Sequence, residues 1–466
     1  MTQPTAQPDY STLEVDLNHF VENQPQHLPE VNREATSHRD YPEAISPKSE
    51  VANLEKEPAP RKICGLRRKI FFAIIIAVAI VAAAVIAGVV VAVTKKDNHD
   101  ASDDDSSPGE TAGDSTDSGT ALLPNTKMAS ANFTDEFGHS NYLVVYQLRN
   151  LAIYMSAYNS SEDAWIVSPV VDGTNGISLD LVRNGTNLAL DVYYHNTTWR
   201  DVHLYWQSPT NAIKTLFRND TSTTVTLSPK EWTYPFSTDR YTGADGSSIV
   251  SYGRQCVYCT LYTYIFFQDN TDEVLGGVLF HDNEDGWTDR NFTDITSPAA
   301  NTSLALAVIP ATNSSDRGMS IFYQTGSGVL AQLTYDGNLG YSGQTLSRGL
   351  VDKSSIVAFS TGFNDTENDV SDLGFQVLTT DPDADGVLLT YYHNGDWVAA
   401  DEVTALSSCA SRSSMAVNLG RRVYCVVDAD HGDVKIVEWV WRGEPSGDTD
   451  SFSSYDKIGT VDTTIN

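Results

Sequence analysis

A hairpin pattern that occurs six times along the chain restricts the fold more than any other feature of the sequence. Each copy has an apolar, aromatic strand, a polar turn and a second strand that ends in an aromatic residue. Aligned on one position of the first strand, the copies are separated by 48, 73, 56, 56 and 46 residues. Internal similarity at such intervals is typical of repeat architectures. The aligned residues are Tyr146, Tyr194, Phe267, Tyr323, Thr379 and Cys425.

The region from residue 131 to 466 has the composition of an all-β domain. It is rich in Tyr, Val, Thr and Leu and in Asn-Gly and Asp-Gly turns, and helical periodicity never lasts beyond a turn or two. Most intervals suit one four-stranded blade, and blades arranged radially leave only short edges, so we predict a six-bladed β-propeller. The longest interval is assigned to an insertion between Trp206 and Tyr264. A pair of β-sandwiches is the alternative, but it does not account for the regular return of one hairpin.

An apolar segment before this domain predicts a membrane anchor. Residues 70–93 are 24 consecutive apolar residues, which as a helix span about 36 Å and cross a bilayer with some tilt. We therefore predict a transmembrane helix over residues 70–94. Five basic residues precede it and only two follow, so the positive-inside rule places residues 1–69 in the cytosol, where their composition predicts a disordered tail.

The residues after the span predict a stalk and a glycosylated domain. Residues 95–130 are an acidic, Ser/Thr/Asp-rich spacer with little to bury. Nine Asn-x-Ser/Thr sequons follow the span and none precedes it, which supports an extracellular or lumenal C-terminal domain. The predicted glycosylation sites are Asn132, Asn159, Asn184, Asn196, Asn219, Asn291, Asn301, Asn313 and Asn364.

The charge of the chain excludes one large class of partners. The sequence has 61 acidic and 30 basic side chains, for a formal net charge of −31. Nucleic-acid binding requires clustered Lys and Arg, so we expect no nucleic-acid partner. With the anchor, the sequence predicts a single-pass type II glycoprotein of the cell membrane or of a secretory-pathway membrane.

The cysteines predict disulfide bonds. Cys64 precedes the span, and the other four lie in the C-terminal domain, where an oxidising compartment favours pairing. Three pairings are possible; we predict a local Cys256–Cys259 bridge and a Cys409–Cys425 bridge between neighbouring strands. No paired His spacing accompanies these thiols, so we predict neither a metal site nor a cofactor.

The repeat resembles that of the fungal fucose-specific lectins. The resemblance is carried above all by RRVYC at 421–425 and KIVEWVW at 435–441, and it covers roughly residues 140–445. It implies a six-bladed propeller that binds a sugar between adjacent blades without catalysis. In such a site an Arg and a Glu hydrogen-bond the sugar hydroxyls, while aromatic rings of the next blade cover its apolar face.

The resemblance also implies which residues would bind the sugar. Only the sixth copy has both charged residues, as Arg422 and Glu438. Across ring closure, Tyr158 and Trp165 of the first copy would complete the site, with Trp441 nearby. An ordinary cross-strand Arg/Glu pair is the alternative interpretation of the two charged residues. The sequence thus predicts one site of the family type, with fucosylated or other glycans as partners.

Two other functions stay open from the sequence alone. A propeller that has lost sugar binding could act as a scaffold for protein partners, and a glycoside hydrolase would need two carboxylates facing each other across a central pocket. The sequence contains no catalytic Ser/His/Asp or His-Glu-x-x-His arrangement. We therefore expect a carbohydrate-binding protein that is not an enzyme.

Overall fold

The fold is known from a computed structural model. It describes residues 119–465 except for 175, 197, 221–230, 234–240, 255–262, 270–279, 283–285, 289–291, 310–317, 336–339, 363–372, 382–385, 413, 430–431, 446 and 448. The predicted tail, the predicted transmembrane helix and most of the predicted stalk lie outside the described residues. Within the described part of the chain, no helix is long and apolar enough to cross a membrane.

The first two sheets are antiparallel, and their strands follow one another in chain order. The first sheet contains β1 (Ala129–Thr134), β2 (Ser140–Gln147), β3 (Ile153–Asn159) and β4 (Ala164–Val171). A 3-10 turn at Leu179–Leu181 leads to the second sheet, which contains β5 (Leu188–Asn196), β6 (Trp199–Gln207) and β7 (Ile213–Asp220).

The third sheet is described as a pair of strands and the fourth as a complete set of four. The third contains β8 (Ile249–Tyr252) and β9 (Tyr264–Phe267), and a separate hairpin follows with β10 (Phe280–Asp282) and β11 (Gly286–Thr288). The fourth contains β12 (Ala305–Val308), β13 (Met319–Gln324), β14 (Val329–Tyr335) and β15 (Tyr341–Gly349).

The last two sheets are again four-stranded. The fifth contains β16 (Ile356–Thr361), β17 (Gly374–Asp381), β18 (Gly386–His393) and β19 (Asp396–Glu402). A 3-10 helix at Thr404–Cys409 leads to the sixth, with β20 (Met415–Val417), β21 (Arg422–Asp428), β22 (Val434–Trp441), the one-turn helix α1 (Thr449–Phe452) and β23 (Tyr455–Thr460).

The sheets are arranged radially as a β-propeller. Their first strands β1, β5, β8, β12, β16 and β20 contact one another in that order, and β20 contacts β1. Hydrophobic clusters fill the space between each pair of neighbouring sheets. Successive side chains of a strand point to opposite faces, so an inner strand packs against two neighbouring sheets. β13 is accordingly buried at every position, whereas the outer strand β19 is mostly exposed.

Buried glutamines join neighbouring sheets. Four of them follow an aromatic residue at the end of a second strand, and the side-chain Nε2 of each donates to a carbonyl in the turn that enters the next sheet. Gln147 donates to Arg183 at 2.9 Å, and Gln207 donates to Ala244 at 2.7 Å. These buried bonds fix the angular position of each sheet, since a buried amide without a partner would cost free energy. The other two are Gln268 and Gln324.

The structure confirms the all-β propeller and corrects the second copy of the repeat. Tyr194 lies on the first strand of its sheet, whereas the other aligned residues, such as Tyr146, lie on second strands. The true equivalent is Trp206 on β6, so intervals of 60 and 61 residues replace those of 48 and 73. The alignment failed because β5 and β6 both carry several aromatic residues. The predicted insertion contains β7 and β8, which are ordinary strands of the second and third sheets.

The propeller begins earlier than the predicted boundary at residue 131. Leu122, Leu123 and Met128 are all buried. Leu122 and Met128 belong to the apolar cluster between the first and sixth sheets. Residues assigned to the end of the stalk are therefore part of the folded domain.

The predicted Cys409–Cys425 disulfide is present, although it joins a 3-10 helix to β21 and not two neighbouring strands. Both residues are fully buried. The other predicted pair, Cys256 and Cys259, lies outside the described residues. The bond anchors the segment between the fifth and sixth sheets to the centre of the sixth.

Removal of this disulfide is expected to destabilise the propeller. The bond closes a loop of 16 residues, and cross-links of this length contribute about 3 kcal/mol, chiefly by restricting the unfolded chain. We expect the C409A/C425A double variant to lose about that free energy of unfolding in urea titration. The matched control C64S, which changes a cysteine outside the propeller, is expected to match the parent. An unchanged unfolding midpoint for the double variant would contradict the prediction.

Candidate functional site

The predicted charged pair lies at the start of the sixth sheet, where β21 and β22 run side by side. Arg422 Nη1 donates to Glu438 Oε1 at 2.8 Å, and the hydroxyl of Tyr424 donates to the same oxygen at 2.9 Å. Tyr424 is the direct cross-strand partner of Glu438. The Glu438 carboxylate therefore accepts from an arginine and a tyrosine at once, and the side chains hold one another in place.

The pair is partly accessible. The side chain of Arg422 is 21% exposed and that of Glu438 is 8% exposed. Burial raises the pKa of Glu438, and the charge of Arg422 and the hydrogen bonds oppose that shift without cancelling it. For Arg422, burial is the largest single influence and lowers the pKa, but the Glu438 carboxylate together with Tyr142 and Tyr424 outweighs it, so the net shift is upward. The guanidinium is therefore a permanent cation at the edge of the site.

Aromatic rings of the first sheet face this pair across the junction of the first and sixth sheets, where the propeller ring closes. The guanidinium of Arg422 lies 4.3 Å from the ring centroid of Tyr142, within the range of a cation–π contact. The rings of Tyr158 and Trp165 lie 5.4 Å apart, and Trp165 makes an edge contact with Tyr424 at 6.5 Å. The structure thus brings Arg422, Glu438, Tyr158 and Trp165 together, as the sequence predicted.

Register explains how three neighbouring strands of the first sheet present these rings. Tyr142 on β2 pairs with Tyr158 on β3, which pairs with Trp165 on β4. All three side chains are half-buried. The hydroxyl of Tyr158 donates to Asp163 Oδ1 at 2.8 Å, and burial followed by this carboxylate raises the pKa of Tyr158. The neutral, hydrogen-bonded ring is thereby fixed beside Trp165.

Trp441 does not join the site. It is 2% exposed and packs against Phe359 and Phe452 in the cluster between the fifth and sixth sheets. Its Nε1 donates to the carbonyl of Phe452 at 3.2 Å. Trp441 lies three residues after Glu438 on β22, and an odd offset along a strand places the two side chains on opposite faces.

Two further residues, Tyr424 and Tyr142, belong to the site although the sequence analysis did not name them. Tyr424 lies two residues after Arg422 on β21, so both side chains share one face of the strand. Tyr142 becomes recognisable once the register of β2 against β3 is known. The position of Tyr424 can be inferred from the sequence, whereas that of Tyr142 can be inferred only from the pairing of β2 with β3.

The predicted glycosylation sites fall into three groups. Asn132 accepts a hydrogen bond from the Gly420 N–H at 3.0 Å, and Asn159 donates to Asn141 at 2.8 Å. Others are exposed, namely Asn184, Asn196, Asn219 and Asn301. The remaining sequons lie outside the described residues, namely Asn291, Asn313 and Asn364. Glycosylation at each position stays a prediction.

A second polar cluster lies on the hairpin of β5 and β6, where the sequence analysis assigned no site. His195 Nε2 is 2.7 Å from Asp201 Oδ2, and the exposed ring of Trp199 stacks on His195 at 4.1 Å. Deeper in the hairpin, His203 Nδ1 is 2.8 Å from Oδ1 of the fully buried Asp191. Within the described residues, no group of His, Cys, Asp or Glu has a geometry that could hold a metal ion.

The fold is a β-propeller, and comparison with solved structures agrees. The fucose-specific lectin from Aleuria aurantia is 13% identical, with a TM-score of 0.55 over 74% of this chain and 98% of the lectin. AofleA from Arthrobotrys oligospora is 15% identical, with a TM-score of 0.53 over 73% and 88%. The SapL1 lectin, solved with α-methyl fucoside, is 14% identical, with a TM-score of 0.51 over 74% and 99%.

These similarities establish the propeller fold and not the ligand, since all the identities are low. The Aleuria aurantia lectin is described as a six-bladed β-propeller that recognises fucose. No protein-family profile matches this chain, and no curated protein matches it either. The ligand of this chain must therefore be argued from its own residues.

The pair of His203 and Asp191 is expected to make stability depend on pH. Burial is the largest single influence and lowers the pKa of His203, but the charge and hydrogen bond of Asp191 and the charge of Asp201 together outweigh it, so the folded-state pKa lies above the ordinary 6.5. Protonated His203 therefore contributes stability that is fully present below pH 6.5 and is lost as the pH rises through the raised pKa.

The substitution His203→Gln tests this expectation. It should lower the unfolding midpoint by more at pH 5.5 than at pH 9, as measured by thermal denaturation. His38→Gln, which changes a histidine outside the described residues, serves as the control and should leave the unfolding midpoint unchanged at both pH values. A loss for His203→Gln that does not depend on pH would contradict the assigned shift.

Proposed function

We propose that this protein is a membrane-anchored, non-catalytic carbohydrate-binding protein with one fucose-type site. The observation that carries the proposal is the arrangement of Arg422, Glu438 and Tyr424 opposite the rings of Tyr158 and Trp165. A charged donor and a charged acceptor can read the stereochemistry of sugar hydroxyls, and an aromatic face covers the C–H surface of the sugar. Membrane anchoring rests on the apolar segment at residues 70–93.

The proposal extends to the number of blades and of sites. The two-stranded sheet of β8 and β9 would be the third blade of a six-bladed ring, because its first strand contacts those of the second and fourth sheets. A single family-type site is proposed because only the sixth sheet carries the Arg and the Glu of the repeat. Clustering of many anchored copies in one membrane would then supply the avidity that one site lacks.

The proposed orientation follows from the sequence. The tail at residues 1–69 would lie in the cytosol, and the propeller would face the cell exterior or the lumen of a secretory compartment. Glycosylation of exposed sequons such as Asn184 would accompany this topology. Glycans of other molecules, fucosylated ones first among them, are the proposed partners.

A protein-binding scaffold is the second candidate. Two large apolar side chains on hairpins of the first two sheets are exposed, Phe137 by 65% and Trp199 by 41%. Exposed aromatic residues are common in protein interfaces. A glycoside hydrolase has less support, because the described residues that line the central cavity include no Asp or Glu, whereas that reaction needs two carboxylates.

Titration calorimetry of the full chain in mild detergent with α-methyl fucoside tests the proposal. We expect about one site per chain, and we expect Arg422→Ala to raise the Kd about 10- to 100-fold, because loss of a hydrogen bond to a charged group costs about 1.5–3 kcal/mol. The matched control is Arg442→Ala, which breaks the exposed ion pair with Asp456 on the same sheet. It should leave the Kd unchanged.

The alternatives predict different results. A folded sample that binds neither fucoside nor any sugar of a monosaccharide panel would refute the lectin proposal and favour the scaffold. Equal losses in Arg422→Ala and Arg442→Ala would place the sugar elsewhere on the propeller. Release of fucose from an aryl fucoside would show that the protein is an enzyme.

A further inference from the structure

The first strands of the propeller enclose a central cavity of about 340 Å³. This volume lies within the range of small-molecule sites. Its polar lining is dominated by serine and asparagine side chains, among them Asn187 and Asn301. The Asn187 Nδ2 donates to the carbonyls of Gly246 and Ser247, and the oxygen atoms of such side chains are acceptors of the kind that hydrogen-bond hydroxyls.

The charge of the cavity is opposite to that of the protein. Among the described residues that line it, the charged side chains are Lys127 and Lys353, and there is no carboxylate. The chain as a whole has twice as many acidic as basic residues. Two lysines in a cavity whose described lining has no acidic residue create a local positive potential. The low-dielectric walls of the cavity strengthen that potential.

Both lysines occupy repeat positions at which other sheets have neutral residues. The first strands of the first four sheets are each preceded by a hydroxyl side chain that accepts a hydrogen bond from the N–H of the glutamine at the end of the second strand, as Thr126 and Thr186 do. Lys127 directly follows Thr126, whereas Asn187 follows Thr186. The lysine therefore lies in the turn that enters β1, at one end of the cavity.

Lys353 lies in the corresponding turn before β16 and has a left-handed backbone, with φ +66°. The equivalent turn positions hold Gly185, Gly246 and Asn301, all with positive φ. Glycine and asparagine adopt this conformation readily, whereas a lysine does so at a cost. Residues held in unfavourable backbone conformations are concentrated at functional sites, so Lys353 combines strain with a charge at the cavity entrance.

We propose that this end of the central cavity binds a small hydroxylated carboxylate, such as a sugar acid, between Lys127 and Lys353. The ammonium groups would attract the carboxylate, and the serine and asparagine side chains would hydrogen-bond the hydroxyls. Burial lowers the pKa of Lys127, and a bound carboxylate would favour its charged form. This site is separate from the sugar site at ring closure and does not depend on it.

Titration calorimetry with D-gluconate tests the proposal on the full chain in detergent, produced in a host that adds no N-glycans so that a glycan on Asn301 cannot block the entrance. Acetate and sorbitol are the comparison ligands, because acetate carries a carboxylate without hydroxyls and sorbitol carries hydroxyls without a carboxylate. We expect gluconate to bind at about one site per chain and at least about ten-fold more tightly than either. No binding of gluconate, or equal binding of acetate or of sorbitol, would overturn the proposal.

Two variants and one control locate the site. Lys127→Met and Lys353→Asn should each weaken gluconate binding at least about ten-fold, and asparagine suits the left-handed backbone at 353 as it does at Asn301. Lys435→Met removes an exposed lysine from β22 and should leave binding unchanged. Circular dichroism would verify the fold of each variant. Equal binding by Lys353→Asn and the parent, or an equal loss in Lys435→Met, would show that the cavity lysines do not hold the ligand.

Discussion

Closure of the ring between the first and sixth sheets is the contact on which both the fold and the site depend. Polar side chains join β1 to the turns around β20: Ser414 Oγ donates to the Thr126 carbonyl at 2.7 Å, and Asn418 Nδ2 donates to Ser130 Oγ at 2.8 Å. An apolar cluster that contains Tyr146 and Tyr424 fills the space outside them. Because residues almost 300 positions apart meet here, this contact has the highest loop-closure cost in the ring, and dense packing must offset it. The same junction places the Arg422 guanidinium over an aromatic ring of the first sheet.

The junction between the first and sixth sheets differs from the others in the charged side chains that it holds. Between the first and second sheets, for example, an apolar cluster fills the space and the buried Gln147 joins the sheets. Between the first and sixth sheets, the space is lined by the Arg422 cation, the Glu438 anion and three half-buried aromatic rings of the first sheet. The β5–β6 hairpin also carries charge, but there His195 and His203 are each engaged by a carboxylate. The Arg/Glu pair therefore lies at the junction of the first and sixth sheets because the sixth copy of the repeat supplies both charged residues.

Much of the fold could be predicted from sequence, because inner strands that pack on both faces are continuous apolar runs and recur at the interval of a blade. The pair of Arg422 and Glu438 could also be predicted, as could the rings that face it. The failures have physical causes. Tyr194 was aligned one strand early because aromatic residues occur on both strands of its hairpin. Trp441 was placed near the pair although its odd offset from Glu438 directs it to the opposite side of the sheet. The lysines of the central cavity carry no local signal, because six separate turns bring that lining together.

The most direct measurement of the central claim is a crystal structure of the propeller with α-methyl fucoside at saturating concentration. The account predicts one sugar at the junction of the first and sixth sheets. Its hydroxyls would lie within hydrogen-bond distance of Arg422 and Glu438, and its apolar face would lie on Trp165. A sugar bound at a different junction, or crystals in which the Arg422–Glu438 pair is unchanged and no sugar is bound, would contradict the account.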